Sequence, residues 1–258
     1  MIRAPLFVPA NRRDRYGKAA ASGADAIILD LEDGVGPDDK SQARAALTCD
    51  FTDLPVIVRI NPPGSPWYER DLERVGKLPV SGLMLPKSEN PAVVSHVHKA
   101  LGSTVPILAL IESATGLIAS RDIAMLTGVT RLVFGSIDFC ADVGMAHGRE
   151  QLVPARYELV LASRLAEKAS PIDGVTTAIA TPSLAFDDAA HARDLGMRGK
   201  LCIHPNQIEE VKRAFAPTQR ELEWARRVLK SENGAVLIDG EMVDEPVRRR
   251  ARALLGQD

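Results

Sequence analysis

Pro106-Ile107-Leu108-Ala109-Leu110-Ile111-Glu112 is an unbroken apolar run that ends on a carboxylate, and a segment with helical spacing follows it over residues 117–126. A run that is continuous rather than alternating suits a strand covered on both faces, as in a parallel sheet flanked by helices. The same rhythm extends outward in both directions. Strands are predicted upstream at 5–8, 26–31, 55–60 and 82–85, and downstream at 131–134, 172–175 and 199–203. Each strand is followed by a predicted helix, in order 14–21, 40–47, 66–75, 91–101, 117–126, 155–169, 183–195 and 208–215. Eight strand–helix units in an α/β chain favour a closed (β/α)8 TIM barrel over an open doubly wound sheet.

Beyond Pro217 the pattern changes. Thr218 with Glu221 three residues on forms a capping box for a helix running to about Ser231. Residues 235–243 then hold two short apolar stretches around Asp239-Gly240, a dipeptide suited to a tight hairpin turn. A last helix starts at Pro246, where the missing N–H costs least, and runs to about Leu254. The expected organisation is therefore a barrel over residues 1–216 and a C-terminal helix-hairpin-helix arm over 217–258. Trp224, Val228, Leu229, Val236, Leu237 and Ile238 give that arm an apolar surface that must pack on something, either its own barrel, with Asp244 capping the last helix, or a neighbouring subunit.

The 258 residues are 45% hydrophobic and 26% charged, which is enough length and apolar content for a large core. With 32 Lys and Arg against 34 Asp and Glu the net charge is −2, which argues against a nucleic-acid binder that relies on counterion release. The apolar runs are too short to cross a bilayer and the N-terminus carries no apolar signal region, so a cytoplasmic protein with no membrane partner is expected. Cys49, Cys140 and Cys202 are widely spaced and read as small buried residues.

In a (β/α)8 barrel the active site is built at the C-terminal ends of the strands. Those positions here are Asp30, Glu32, Asp33, Arg59, Lys87, Glu112, Asp138 and His204. Five carboxylates beside two basic groups raise one another's pKa and oppose folding unless a cation neutralises them. An oxygen-rich set with no thiolate or histidine pair suits Mg2+, with Mn2+ as the alternative. Arg59 supplies a fixed donor for a substrate anion or a developing enolate, or else a salt bridge to a neighbouring strand end. Asp30, Glu32 and Asp33 serve equally as helix caps or lysine partners. Asp138 is either a ligand or a cap, Lys87 a structural ion-pair partner, and His204 a hydrogen-bonding residue at its strand end. Arg248-Arg249-Arg250 reads as a solvated helix face.

Taken together in chain order, several stretches resemble the citrate lyase beta-subunit-like family of the HpcH/HpaI aldolase superfamily. They are Leu6-Phe7-Val8-Pro9-Ala10-Asn11-Arg12, Ile28-Leu29-Asp30-Leu31-Glu32-Asp33-Gly34, Val58-Arg59-Ile60-Asn61, Met84-Leu85-Pro86-Lys87, Leu110-Ile111-Glu112-Ser113, Phe134-Gly135-Ser136-Ile137-Asp138, Lys200-Leu201-Cys202-Ile203-His204-Pro205 and Gly240-Glu241-Met242-Val243-Asp244. The match spans almost the whole chain.

The resemblance implies a magnesium-dependent carbon–carbon lyase acting on a short 3-hydroxyacyl-CoA such as malyl-CoA or citramalyl-CoA, with acetyl-CoA and a 2-oxo acid as partners and a homotrimer or hexamer as the assembly. Residue by residue it implies Glu112 and Asp138 as metal ligands, and Arg59 with Glu112, Pro9 and Arg12 in substrate binding. It makes Glu32 and Asp33 an acidic pair around metal-bound waters, and Asp244 an acid or base delivered into a neighbouring subunit's site. The alternatives are a malyl-CoA thioesterase and a non-autonomous subunit of a multienzyme citrate lyase. Two departures stand out: Ala10 sits where glycine is common, and residues 174–179 lack the acidic residue that many relatives carry shortly after the glycine. The second bears on the choice of acid more than on the reaction class.

Overall fold

Seven strands pair in sequence order, every neighbour parallel: β1 (Pro5–Pro9), β2 (Ala26–Asp30), β3 (Val56–Arg59), β4 (Gly82–Leu85), β5 (Ile107–Ile111), β6 (Val129–Phe134) and β7 (Ala169–Ile172). The computed structural model describes residues 2–231, 234–238 and 240–256. Alternate residues of the strands enter different apolar layers, as the two-residue period of a strand requires. Ile27, Leu29, Val58, Leu83, Leu85, Ile107 and Ala109 pack with the helices, whereas Ile28, Ile57, Met84, Leu108, Leu110, Val133 and Ile172 form a separate inner cluster. Both layers being apolar is why the strands read as unbroken runs.

The connections are α1 (Tyr16–Ala20), α2 (Lys40–Ala46), α3 (Tyr68–Val75), α4 (Pro91–Ala100), α5 (Ala114–Met125), α6 (Ser136–Val143), α7 (Val153–Leu165), α8 (Pro182–Asp194) and α9 (Ile208–Phe215). Asn90 and Ser113 cap α4 and α5 by accepting from the N–H groups of Ala92 and Gly116. The helix expected at 14–21 is shorter, a 3-10 turn at Arg13–Arg15 leading into α1. The sequence pattern did not show α6, whose first turn holds Asp138; it ends at Gly144, in the left-handed conformation that glycine adopts freely.

The eighth strand expected at 199–203 is not a ladder. Two isolated parallel bridges, Leu6 with Cys202 and Asp173 with Lys200, join this segment to β1 on one side and to the chain just past β7 on the other. Phe7 N–H donates to Cys202 O at 2.9 Å and Cys202 N–H to Pro5 O at 2.9 Å, while Leu201 N–H donates to Asp173 O at 3.0 Å. Leu201 also belongs to the inner apolar cluster. The seventh strand lies earlier than expected, so residues 173–175 extend beyond it rather than ending it.

Two compact units separate at Phe215/Ala216. In the second, α10 (Gln219–Lys230) begins with the capping box: Thr218 N–H donates to Glu221 Oε2 at 2.7 Å and Glu221 N–H to Thr218 Oγ1 at 3.2 Å. β8 (Val236–Ile238) and β9 (Glu241–Val243) form an antiparallel pair ahead of α11 (Glu245–Leu254). Of the expected turn pair, Gly240 has φ +82° and Asp239 lies outside the described residues. Part of the apolar surface expected of this segment is covered within the unit itself. Trp224, Val228, Leu229 and Val236 pack with Val243 and Ala251 in a core of the unit's own, leaving Leu237 exposed; the Ile238 side chain is outside the described residues. Of the arginine run, Arg249 and Arg250 are exposed as expected and Arg248 is not. Arg248 is buried, and its guanidinium donates to Val228 O, Ser231 Oγ and Gly234 O.

Candidate active site

The strand ends of the first unit open into a cavity of about 850 Å³. Pro9, Arg12, Asp33, Arg59, Glu112 and Asp138, all expected site residues, line it together with Asp30, Ser136, Val175 and His204. Glu32 is buried beside Arg59, and Asp244 lies in the second unit. There Asp244 caps α11, its Oδ1 accepting from Val247 N–H at 3.3 Å.

Arg59 ends β3 directly opposite Asp30 at the end of β2, and that register makes them partners. Its Nε donates to Asp30 Oδ1 at 2.7 Å and its Nη2 to Asp30 Oδ2 at 2.8 Å, a bidentate pair. The guanidinium also lies over the Phe7 ring, 4.8 Å from its centroid. Nη1 is 3.0 Å from Glu32 Oε2 and 3.5 Å from Asp33 Oδ2. The 3.0 Å approach does not have hydrogen-bond geometry, so Glu32 Oε2 is a buried oxygen without a hydrogen-bond partner. Burial therefore outweighs the attraction of an arginine already engaged by Asp30, and the Glu32 carboxyl is pushed up to about 8. Asp30 also accepts from the N–H groups of Glu32 and Gly34, which fixes the turn after β2. The expected pair Glu32 and Asp33 is thus split, one side chain buried and the other 69% exposed.

Glu112, 2% exposed at the end of β5, is reached from β4. Lys87 has φ +47°, a conformation costly for a side-chain-bearing residue, and it aims its own N–H at Glu112 Oε1, 2.8 Å away. The Lys87 ammonium lies 3.5 Å from Glu112 Oε1 and 3.2 Å from Asp138 Oδ1. Burial pushes Glu112 up to about 6 against the pull of the Lys87 N–H and ammonium. Gly135, between β6 and α6, leaves room for Glu112: a Cβ there would lie 2.4 Å from the Glu112 Cβ. Two carboxylates from adjacent units thus converge on one cationic group, and their oxygens suit a hard divalent cation. Among the described residues no three acidic, histidine or cysteine side chains gather at one such point. The pair alone would hold the ion, with water and substrate oxygens completing its shell, as Mg2+ prefers.

Arg12 pairs with Asp14 at 2.8 Å on the rim. His204 caps the turn after residue 203, its Nδ1 accepting from Asn206 N–H at 3.2 Å. Sequence reasoning missed the roles of Ser136 and His147. Ser136, 2% exposed, is hydrogen-bonded through Oγ to His147 Nε2 at 2.9 Å, and His147 stands on the loop between α6 and α7 where no periodicity marks it.

The description HpcH/HpaI aldolase/citrate lyase fits residues 3–205. The chain is 34% identical to a citrate lyase subunit beta-like protein of Deinococcus radiodurans, over 100% of this chain and 98% of the relative. It is 31% identical to a (3S)-malyl-CoA thioesterase of Cereibacter sphaeroides, over 94% of this chain and 90% of the relative. Among solved structures, protein CitE from Mycobacterium tuberculosis in complex with magnesium, acetoacetate and coenzyme A superimposes with a TM-score of 0.88 and 34% identity, covering 99% of this chain and 97% of that one. With a family match over most of its length and full-length relatives at this identity, the chain belongs to the HpcH/HpaI aldolase/citrate lyase family.

Proposed function

We propose that the protein is a Mg2+-dependent carbon–carbon lyase that cleaves, or in reverse forms, a short 3-hydroxyacyl-CoA such as malyl-CoA or citramalyl-CoA. The observation that carries this reading is the convergence of Glu112 and Asp138 on one cationic group at the mouth of a cavity that Arg59 also lines. The related CitE structure with magnesium, acetoacetate and coenzyme A supports the ligand class. Residues 199–203 are read as the eighth strand of a closed barrel, supported by their bridges to β1 on one side and to Asp173, just past β7, on the other.

In cleavage, the C2–C3 bond of the acyl-CoA breaks and the C3 hydroxyl loses its proton to become the carbonyl of the 2-oxo acid. The bonding pair stays on C2 as a thioester enolate, which takes up a proton to give acetyl-CoA. When bound, Mg2+ supplies a Lewis acid that orients the acid's oxygens and eases loss of the hydroxyl proton. Glu112 and Asp138 hold that ion, Arg59 places donors near developing negative charge, and Glu32 and Asp33 orient water. Pro9 and Arg12, which line the cavity, bind the acyl-CoA. Asp244 is the acid or base for carbon, brought in trans by the second unit within a homotrimer or hexamer.

The thioesterase relative favours a second reading, hydrolysis of the same thioester. Incubation with malyl-CoA and Mg2+, followed by chromatography, separates the two. Glyoxylate plus acetyl-CoA supports the lyase, and malate plus free CoA replaces it with the thioesterase. Mixing inactive Asp244→Ala and Glu112→Ala proteins tests the crossing arm: partial recovery of activity is expected, and none despite demonstrated subunit exchange removes it.

A further inference from the structure

A second cavity of about 410 Å³ adjoins the active site and has no part in the reading above. His147, Arg149, Gln151, Arg156, Asp188 and Lys200 contribute to its polar lining. Val175 lines both cavities, and no other described residue does. Across the partition, Ser136 Oγ in the first cavity and His147 Nε2 in the second share a hydrogen bond.

The partition is held from behind. Asp173 pairs with Arg156 at 2.8 Å and with Lys200 at 2.9 Å, and Lys200 Nζ also donates to Gly174 O at 2.7 Å. Gln207 Nε2 donates to Thr176 O at 2.7 Å, so the backbone on both sides of Val175 is tied down. A Cβ on Gly174 would lie 2.1 Å from Ser136 Oγ, so the absence of a side chain there lets Ser136 seat against the partition. A fixed backbone leaves two adjustable parts, the Val175 side chain and the Ser136–His147 bond.

We propose that Val175 and the Ser136–His147 hydrogen bond set the size limit for the 2-oxo acid partner, closing the active-site cavity against a polar space that would otherwise take a longer acid. The proposal rests on the lyase reading, because it assigns this wall to the acid half of the substrate. Under this proposal the intact wall favours glyoxylate and pyruvate over longer acids. Opening the wall admits a longer, polar tail, matched to the side chains behind it.

The test measures kcat/KM for condensation of acetyl-CoA with glyoxylate, pyruvate, 2-oxobutyrate and 2-oxoglutarate, with Mg2+. It compares the wild type with Val175→Ala, His147→Ala and Val175→Phe. His147 is exposed, so its variant is expected to fold normally. The ratio of 2-oxoglutarate to glyoxylate should rise roughly tenfold or more in both opened variants, within the range for one or two methylenes in a pocket. The ratio of pyruvate to glyoxylate should fall in Val175→Phe. A purely structural role would change all acids together, so ratios unchanged in either opened variant overturn the proposal while leaving the lyase reading intact. A wild type that condenses none of the acids overturns the lyase reading, and the size limit with it.

Discussion

Arg59 directs Nε and Nη2 to Asp30, leaving Nη1 turned toward Glu32 and Asp33. Lysine there would keep the charge and lose the planar fork. Arg59→Lys is expected to retain the fold, seen as an unchanged circular dichroism spectrum, and to lower kcat/KM by about 10²-fold or more. Near-wild-type turnover would reduce Arg59 to a structural ion-pair partner. The positions of Glu112 and Arg59 were legible because each directly ends an apolar run. Which strand-end groups meet was not, since it depends on register: Asp30 faces Arg59 across β2 and β3, whereas Glu32, two residues on, turns inward without a hydrogen bond for Oε2. His147 was illegible for another reason. It stands in a loop, and nothing local distinguishes a histidine that reaches Ser136 from one that does not.

α10 and α11 show how an element can look solvated in sequence and be anchored in the structure. Three consecutive arginines suggest an exposed face, yet Arg248 enters the core of the second unit and donates to a carbonyl and a hydroxyl at the end of α10 and to the Gly234 carbonyl beyond it. Arg248→Ala would leave these acceptors without their charged donor, at about 1.5–3 kcal/mol for interactions of this kind. Hydrogen exchange is expected to show faster opening in residues 216–256 with the first unit unchanged. Protection retained throughout the second unit would show that the clasp contributes little. The capping box and the start of α11 were legible because their signals are local. α6 was not: a strand that runs straight into a helix through Gly135 leaves no turn cluster to announce the change.

At the scale of the first unit, the buried triad Asp173, Arg156 and Lys200 ties the end of the parallel sheet to the segment that bridges back to β1. Burial raises the Asp173 pKa, but Lys200 and Arg156 together hold it below its ordinary value. A depressed folded pKa contributes stability that is fully present above the unfolded value, about 3.9, and is lost as pH falls through the folded value. Asp173→Asn is therefore expected to lower stability near neutrality by about 3–5 kcal/mol, since it leaves two buried cations without their anion. It should also flatten the decline below about pH 4. Urea titrations across pH would show both effects, and parallel acid limbs for the two proteins would contradict the assignment. The seven-stranded parallel sheet was legible from its continuous apolar runs. The place of the eighth pairing was legible too, but not its form, because residues 199–203 connect to their neighbours through single bridges rather than a ladder.

Those bridges also set a timetable for synthesis. Leu6 meets Cys202 about 200 residues later in the chain, so at 5–20 residues per second β1 waits roughly 10–40 s for that partner to be made. Throughout that interval its outer edge has unpaired N–H and C=O groups open to pairing with another chain. The nascent polypeptide is thus most exposed to mispairing while its own first strand is already complete.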